Sequence, residues 1–158
     1  MKKTLPSSLD QFWIHFAPLG LALLAADQIS KAWAQSALGN LQDAPRLGFE
    51  LALNRGIAFG LPIPSLLSMG LTIFILGFGA YLVVKNQLWR DAWHRTGLAL
   101  LLAGALGNLI DRLRFGYVVD FIKVYFWPNF NLADVFIVLA VVLFSWEFIV
   151  REKQIQEI

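Results

Sequence analysis

Four apolar stretches, each long enough to cross a bilayer, constrain this chain more than any other feature. A helix rises about 1.5 Å per residue, so a hydrocarbon core of about 30 Å takes about 20 residues. The stretches run from Phe12 to about Leu38, Ile63 to Val84, Thr96 to about Leu113 and Leu132 to Val150. Of 158 residues, 58% are hydrophobic and 15% charged, too few charges to cover a soluble domain of this length. The pattern predicts a membrane all-α fold with a small β element, in a single domain over 1–158. Transmembrane helices are expected at about 12–36, 63–85, 96–114 and 132–150, with outer loops at 37–62 and 115–131.

The first stretch has some features of a signal peptide: Lys2 and Lys3 precede it, and Ala32-Trp33-Ala34 mimics a cleavage site. Asp27 and Lys31 lie inside that recognition region, however, and three more spans follow, so it is expected to be retained. Lys2, Lys3, Lys85, Arg90, Arg95, Arg151 and Lys153 fall on one side of the membrane, which the bias of basic residues makes the cytoplasm. Both termini are then cytoplasmic. Trp13, Trp89, Trp93 and Trp146 sit near that interface, and Trp33 and Trp127 near the other. A net charge of +2 gives no basic field for nucleic acid. Without cysteine there is no disulfide, thiolate nucleophile or cysteine metal site. His15 and His94 are far apart, and no metal site is expected.

The outer loops carry strand patterns. In Leu47-Gly48-Phe49-Glu50-Leu51-Ala52-Leu53 large apolar residues alternate with small or polar ones, and Asn54-Arg55-Gly56 offers a turn before Ile57 to Leu61. Val118 to Tyr125 is largely β-branched and aromatic. A small sheet on the outer membrane surface is expected, built mainly from the first loop.

Antiparallel spans bring the end of helix one, the end of helix three and the start of helix four to one side of the membrane, where the polar residues are. Asp27 and Lys31, four apart, share a helix face, as do Asn108, Asp111 and Arg112. Asn131 and Asp134 open the fourth span; Asp120 and Asn54 lie in the outer loops. Ionisable groups at membrane depth cost about 2.5–3.5 kcal/mol each on insertion scales. Singly, each has a bland explanation. Asp27 with Lys31 can be an ion pair at a snorkelling helix end, Asn131 with Asp134 a helix cap, Asp111-Arg112 a headgroup anchor, and Ala103-Gly104-Ala105 with Gly107 a close-packing surface. Asp120 is hardest to explain so, being a carboxylate in an apolar strand-like segment. None of these explains the gathering.

Asp27-Gln-Ile-Ser-Lys31, Asn54-Arg-Gly-Ile-Ala-Phe59, Gly104-Ala-Leu-Gly-Asn108-Leu-Ile-Asp111-Arg112, Val118-Val-Asp120-Phe-Ile122 and Phe130-Asn-Leu-Ala-Asp134 resemble, in order, the motif blocks of bacterial lipoprotein signal peptidase, or signal peptidase II. The resemblance implies four transmembrane helices, an outer-face β-cradle and a short interfacial helix in the bacterial inner membrane. It implies an aspartic endopeptidase cleaving diacylglyceryl-modified prolipoproteins before the lipidated cysteine, near the outer leaflet, with Asp120 and Asp134 as the catalytic pair. It further implies substrate-binding or supporting roles for Asn54, Gly56, Gly104, Asn108, Arg112 and Asn131. Asp27, Lys31 and Asp111 would be structural at the site's edge, with Asp27 and Lys31 holding helix one against the cradle. The expected partners are prolipoprotein substrates and membrane lipid; no cofactor is expected, and the chain is expected to be a monomer.

Two close carboxylates cannot both ionise cheaply, so they share a proton, one accepting from water while the other donates. The helix dipole favours the ionised form of Asp134, while apolar surroundings raise the pKa of Asp120. Three other classes compete. A proton-coupled carrier needs polar groups through the bundle, whereas the second span has almost none between Ser68 and Lys85, and the inner halves of the others are apolar except for Glu147. A headgroup-binding subunit leaves Asp120 and Asp134 without a purpose. A serine–lysine protease is disfavoured because adjacent Ser30 and Lys31 point to different faces.

Overall fold

The structure, a computed structural model, describes residues 8–39, 47–56, 65–86 and 92–156. In chain order the described elements are α1 (Ser8–Leu38), β1 (Leu47–Asn54), α2 (Ser65–Asn86), α3 (Ala92–Phe115), β2 (Val118–Val124), β3 (Trp127–Phe130) and α4 (Leu132–Gln156). Ile57 to Leu61, Pro62, Pro64, Trp89 and Arg90 lie outside the described residues, as do Lys2 and Lys3. The expected short interfacial helix is not among the described elements; residues 40–46 and 57–64 of the first outer loop are outside them.

Local chemistry sets the ends of α3 and α4. Helix α3 closes where Gly116, at φ 76°, donates its N–H to the Arg112 carbonyl at 3.0 Å. That left-handed turn satisfies an end carbonyl at little steric cost to glycine. Asn131 opens α4 as a cap. Its Oδ1 accepts from the Asp134 N–H at 3.1 Å, and Asp134 Oδ2 accepts from the Asn131 N–H at 3.2 Å. These reciprocal bonds satisfy two donors that a bare helix start leaves unpaired.

The sheet is antiparallel in the order β1-β2-β3. Two of its three strands come from the second outer loop, which corrects the expectation of a sheet built mainly from the first. The β-branched and aromatic run of β2 can pair on both edges, and the chain folds straight back through Tyr125-Phe126, with Tyr125 at φ 46°. Pro128, lacking an N–H, is tolerated because β3 is an edge strand. Asp120 stands opposite Ala52, and β1 carries one extra residue between Phe49 and Ala52.

Helix α3 is the hub, packed on α4 and α1. Among the described residues there are two apolar clusters. One joins Leu100, Ala103, Phe136 and Ala140 within the helices, and the other joins Ala34, Leu38 and Phe121 where α1 meets the sheet. Leu132 touches both clusters. Outward, the surface is apolar: Leu21, Ile29, Phe74, Phe78, Val141 and Trp146 are all more than half exposed. Inward, Asp27 is 0% and Lys31 2% exposed. This is the reverse of a water-soluble distribution. Among the described residues one helix, α3, is long and apolar enough to cross a membrane, and Leu132–Trp146 of α4 is a shorter apolar stretch.

Close approach of α3 to α4 depends on missing side chains. A Cβ at Gly104 would strike the Ala133 carbonyl oxygen and stand 2.8 Å from Ile137 Cγ1. The Gly104→Ala variant should lose about 1–3 kcal/mol of stability, the usual cost of an overpacked contact, and melt at a lower temperature in detergent.

Candidate active site

The two aspartates singled out in the sequence come from different kinds of element, Asp120 from the middle of β2 and Asp134 from the first turn of α4. They meet through Asn131. Its Nδ2 donates to Asp120 Oδ1 at 2.6 Å, while its backbone N–H and Oδ1 engage Asp134. Because Oδ1 receives the Asp134 N–H, the amide can present only its NH2 to Asp120. The same NH2 reaches Asn108 Oδ1 at 3.2 Å. Asn108 Nδ2 in turn donates to Asp134 Oδ1 at 2.9 Å, and Asn54 Nδ2 donates to Asp120 Oδ2 at 2.9 Å. Each carboxylate thus accepts one side-chain amide from its own flank, and Asn131 ties them together. The cap and the gathering are one arrangement.

Beneath the pair lies a buried ionic cluster. Lys31 Nζ is 2.9 Å from Asp27 Oδ2 and 3.1 Å from Asp111 Oδ2, and donates to Asn108 Oδ1 at 3.0 Å. An ammonium has three N–H groups, and here each has an acceptor. Asp27 Oδ1 accepts from the Ala133 N–H at 2.9 Å, and Asp111 Oδ2 accepts from the Val119 N–H at 3.1 Å. Asp27 and Lys31 therefore hold α1 against α3 and the start of α4, and reach the sheet through Asp111 and the Val119 N–H. With 2% exposure Lys31 does not snorkel. Asp111 orients the start of β2, the strand that carries Asp120.

Arg112 donates through Nη2 to the Gly56 carbonyl at 3.2 Å and through Nη1 to the Asn108 carbonyl at 3.4 Å. It lies within electrostatic reach of Asp134, Asp120 and Asp111. Gly56 donates its N–H to Asn54 Oδ1 at 2.9 Å, which turns the chain after β1 and aims the Asn54 NH2 at Asp120. Gly104 is the contact between helices described above. All the candidate residues are thus accounted for in one region.

Two participants were not assigned from sequence. Gln28 Nε2 lies within hydrogen-bond distance of Asp27 Oδ2 (3.1 Å), the Gly107 carbonyl (3.3 Å) and Asp111 Oδ1 (3.2 Å), linking α1 to α3. One residue beyond Asp27, it is off the face that the four-residue spacing of Asp27 and Lys31 marks. Gly107 shares the small-residue face of α3 with Gly104. A Cβ there would strike Asp27 Oδ2, so this glycine makes room for a carboxylate. Among the described residues no group of three or more His, Cys, Asp or Glu side chains is arranged to hold a metal ion.

Burial pushes the Asp120 carboxyl up from its ordinary value of 3.8 to about 7. The Asn54 hydrogen bond opposes this shift, the nearby charge of Asp134 adds to it, and Asn131 and Lys31 act against it more weakly. A carboxyl poised there can hold or release a proton near neutrality.

The fold belongs to a known class of bacterial membrane enzyme. Two structures of bacterial membrane enzyme solved by the in meso method, at 2.3 Å and 1.9 Å resolution, superpose with TM-scores of 0.73 and 0.71. Each is 28% identical; the match covers 84% of this chain and 86% and 90% of theirs. The family described as Signal peptidase (SPase) II matches residues 19–150, and the chain belongs to that family of membrane peptidases. It is similar to the lipoprotein signal peptidase of Moorella thermoacetica, 43% identical over 84% of this chain and 91% of the relative. It also resembles those of Psychromonas ingrahamii, 33% identical over 92% and 90%, and Burkholderia thailandensis, 35% identical over 93% and 95%.

The raised Asp120 value has a signed consequence. The folded state holds this proton more tightly than the unfolded chain, so the group's contribution to stability declines from near pH 3.8 to about 7 and is flat above. Isotope-edited infrared titration should show the Asp120 acid band persisting to about pH 7. In Asn54→Ala, which removes a bond favouring the ionised form, the band should persist to higher pH.

Proposed function

We propose that this chain is a membrane-embedded aspartic endopeptidase that removes signal peptides from diacylglyceryl-modified prolipoproteins, cleaving before the lipidated cysteine. Asp120 and Asp134 are its catalytic pair. The observation that carries the reading is their joint hold on Asn131, which brings a strand carboxylate and a helix carboxylate to one place. Membership of the signal peptidase II family and the names of its relatives support the substrate class. The apolar exterior around α1, α2 and α4 supports four spanning helices in a single domain over 1–158. The distribution of basic residues supports cytoplasmic termini and a site near the outer leaflet.

In this mechanism the ionised carboxylate takes a proton from water as its oxygen bonds to the scissile carbonyl carbon. The protonated carboxyl gives its proton to the carbonyl oxygen, forming a neutral tetrahedral intermediate. Collapse breaks the C–N bond as the proton first taken from water passes to the leaving amine, while one hydroxyl of the intermediate returns its proton to the carboxylate that served as acid, which leaves the carboxylic acid product and restores the pair. Asp120, with its pKa near 7, suits the acid role, while Asp134 at the start of α4 suits the base. The amides of Asn54, Asn108 and Asn131 position the pair without adding charge. Arg112, steadied by the Gly56 and Asn108 carbonyls, offers its remaining N–H groups to a substrate carbonyl or lipid ester.

Cleavage of a lipidated prolipoprotein by the purified chain tests the reading directly. Asp120→Asn and Asp134→Asn should each lower kcat by at least about 10²-fold while the protein stays folded in detergent. Near-parental turnover by either folded variant would remove the pair from the mechanism. For the parent, kcat/KM should decline as pH rises through about 7, where Asp120 loses its proton.

A further inference from the structure

We propose that Lys31 is a positioning residue for the aspartate pair, acting through Asn108 rather than merely tying helices together. This rests on the catalytic reading of Asp120 and Asp134 above.

The case begins with what each atom can donate or accept. A primary amide has two faces of similar shape and opposite polarity, so something must decide which faces the reacting groups. Lys31 Nζ can only donate. Its 3.0 Å bond to Asn108 Oδ1 fixes the oxygen toward α1 and leaves the NH2 facing Asp134. That orientation also leaves Oδ1 as acceptor for Asn131 Nδ2, the amide that serves Asp120. One ammonium thus sets the polarity of a chain reaching both aspartates.

The ammonium is itself held on two further sides, by Asp27 from its own helix and by Asp111 from α3. These two acids are anchored by the Ala133 and Val119 N–H groups, from the start of α4 and from β2, the two elements that carry the pair. Were the cluster only a brace, Asp27 and Asp111 would exhaust its purpose. The third bond of Lys31 goes instead to Asn108, whose side-chain NH2 donates to the Asp134 carboxylate.

A double-mutant cycle separates positioning from bracing. Lys31→Met is made in an Asp111→Asn background, so that removing the cation removes one anion as well. Asparagine keeps an oxygen for the Val119 N–H. Relative to Asp111→Asn alone, the Lys31→Met/Asp111→Asn enzyme should stay folded in detergent, melting lower because Asp27 is left without its cation, and keep KM within about twofold. Its kcat should fall about ten- to hundredfold, as expected of a displaced catalytic group. In an Asn108→Ala background the same Lys31→Met change should cost less than about twofold, because the amide it orients is gone.

If that pair of changes does not fold, Lys31→Met with Asp27→Asn and Asp111→Asn, a fully neutral cluster, carries the same readouts. Unchanged kcat in a folded variant, or an equal loss with and without Asn108, overturns the proposal. So does a cluster that folds in neither form, which would show a purely structural role. Active Asp120→Asn or Asp134→Asn variants would instead mark failure of the catalytic reading itself.

Discussion

A single ammonium, that of Lys31, sits between two carboxylates in the interior of the protein, and the remaining polar contacts are arranged around it. Desolvating charges is costly, and a buried ion pair stabilises a fold only when its leftover donors and acceptors are satisfied. Here every N–H of the ammonium has an acceptor, and Asp27 and Asp111 are completed by backbone N–H groups of Ala133 and Val119. Removing one partner from such a group leaves an unpaired charge, at a typical cost of about 3–5 kcal/mol. The cluster therefore sets how α1, α3, α4 and β2 approach one another. An apolar interface would stabilise a similar bundle but would leave its rotations free to slide.

The polar layer lies between two apolar clusters, one within the helices and one against the sheet, bridged by Leu132. Glycine lets the layer close. Gly104 brings α3 onto the Ala133 carbonyl, and Gly107 leaves space for Asp27 Oδ2. Packing and electrostatics thus meet at the same turn of α3, one glycine serving each. With so little water admitted, the Asp120 carboxyl is held near neutrality although two amides donate to it.

Much of this was legible in the sequence because local spacing carries it. The interval between Asp27 and Lys31 marks one helix face, Asn131 and Asp134 have the spacing of a cap, and Asp120 stands out in an apolar run. The helical architecture and the strand in the second outer loop follow from the same periodicities. What could not be read depends on contacts across long sequence separations. Nothing local says that β2 takes the centre of the sheet, since pairing on both edges requires β1 and β3 to arrive from opposite directions. Nor does spacing show that Gln28 reaches α3, or that Lys31 turns inward to Asn108 when a lysine near a helix end can equally well extend toward water.

Asn131 caps α4 and also bridges Asp120 to Asp134. The turn is held from α1, α3 and β2 at once, so it opens when any of these elements shifts. Opening it turns the amide away and parts strand from helix while the apolar clusters are still together. On the catalytic reading, a copy still assembling in the lipid, or one starting to come apart, is blunt before it is unfolded. Neighbouring polypeptides are then safe from a half-built blade.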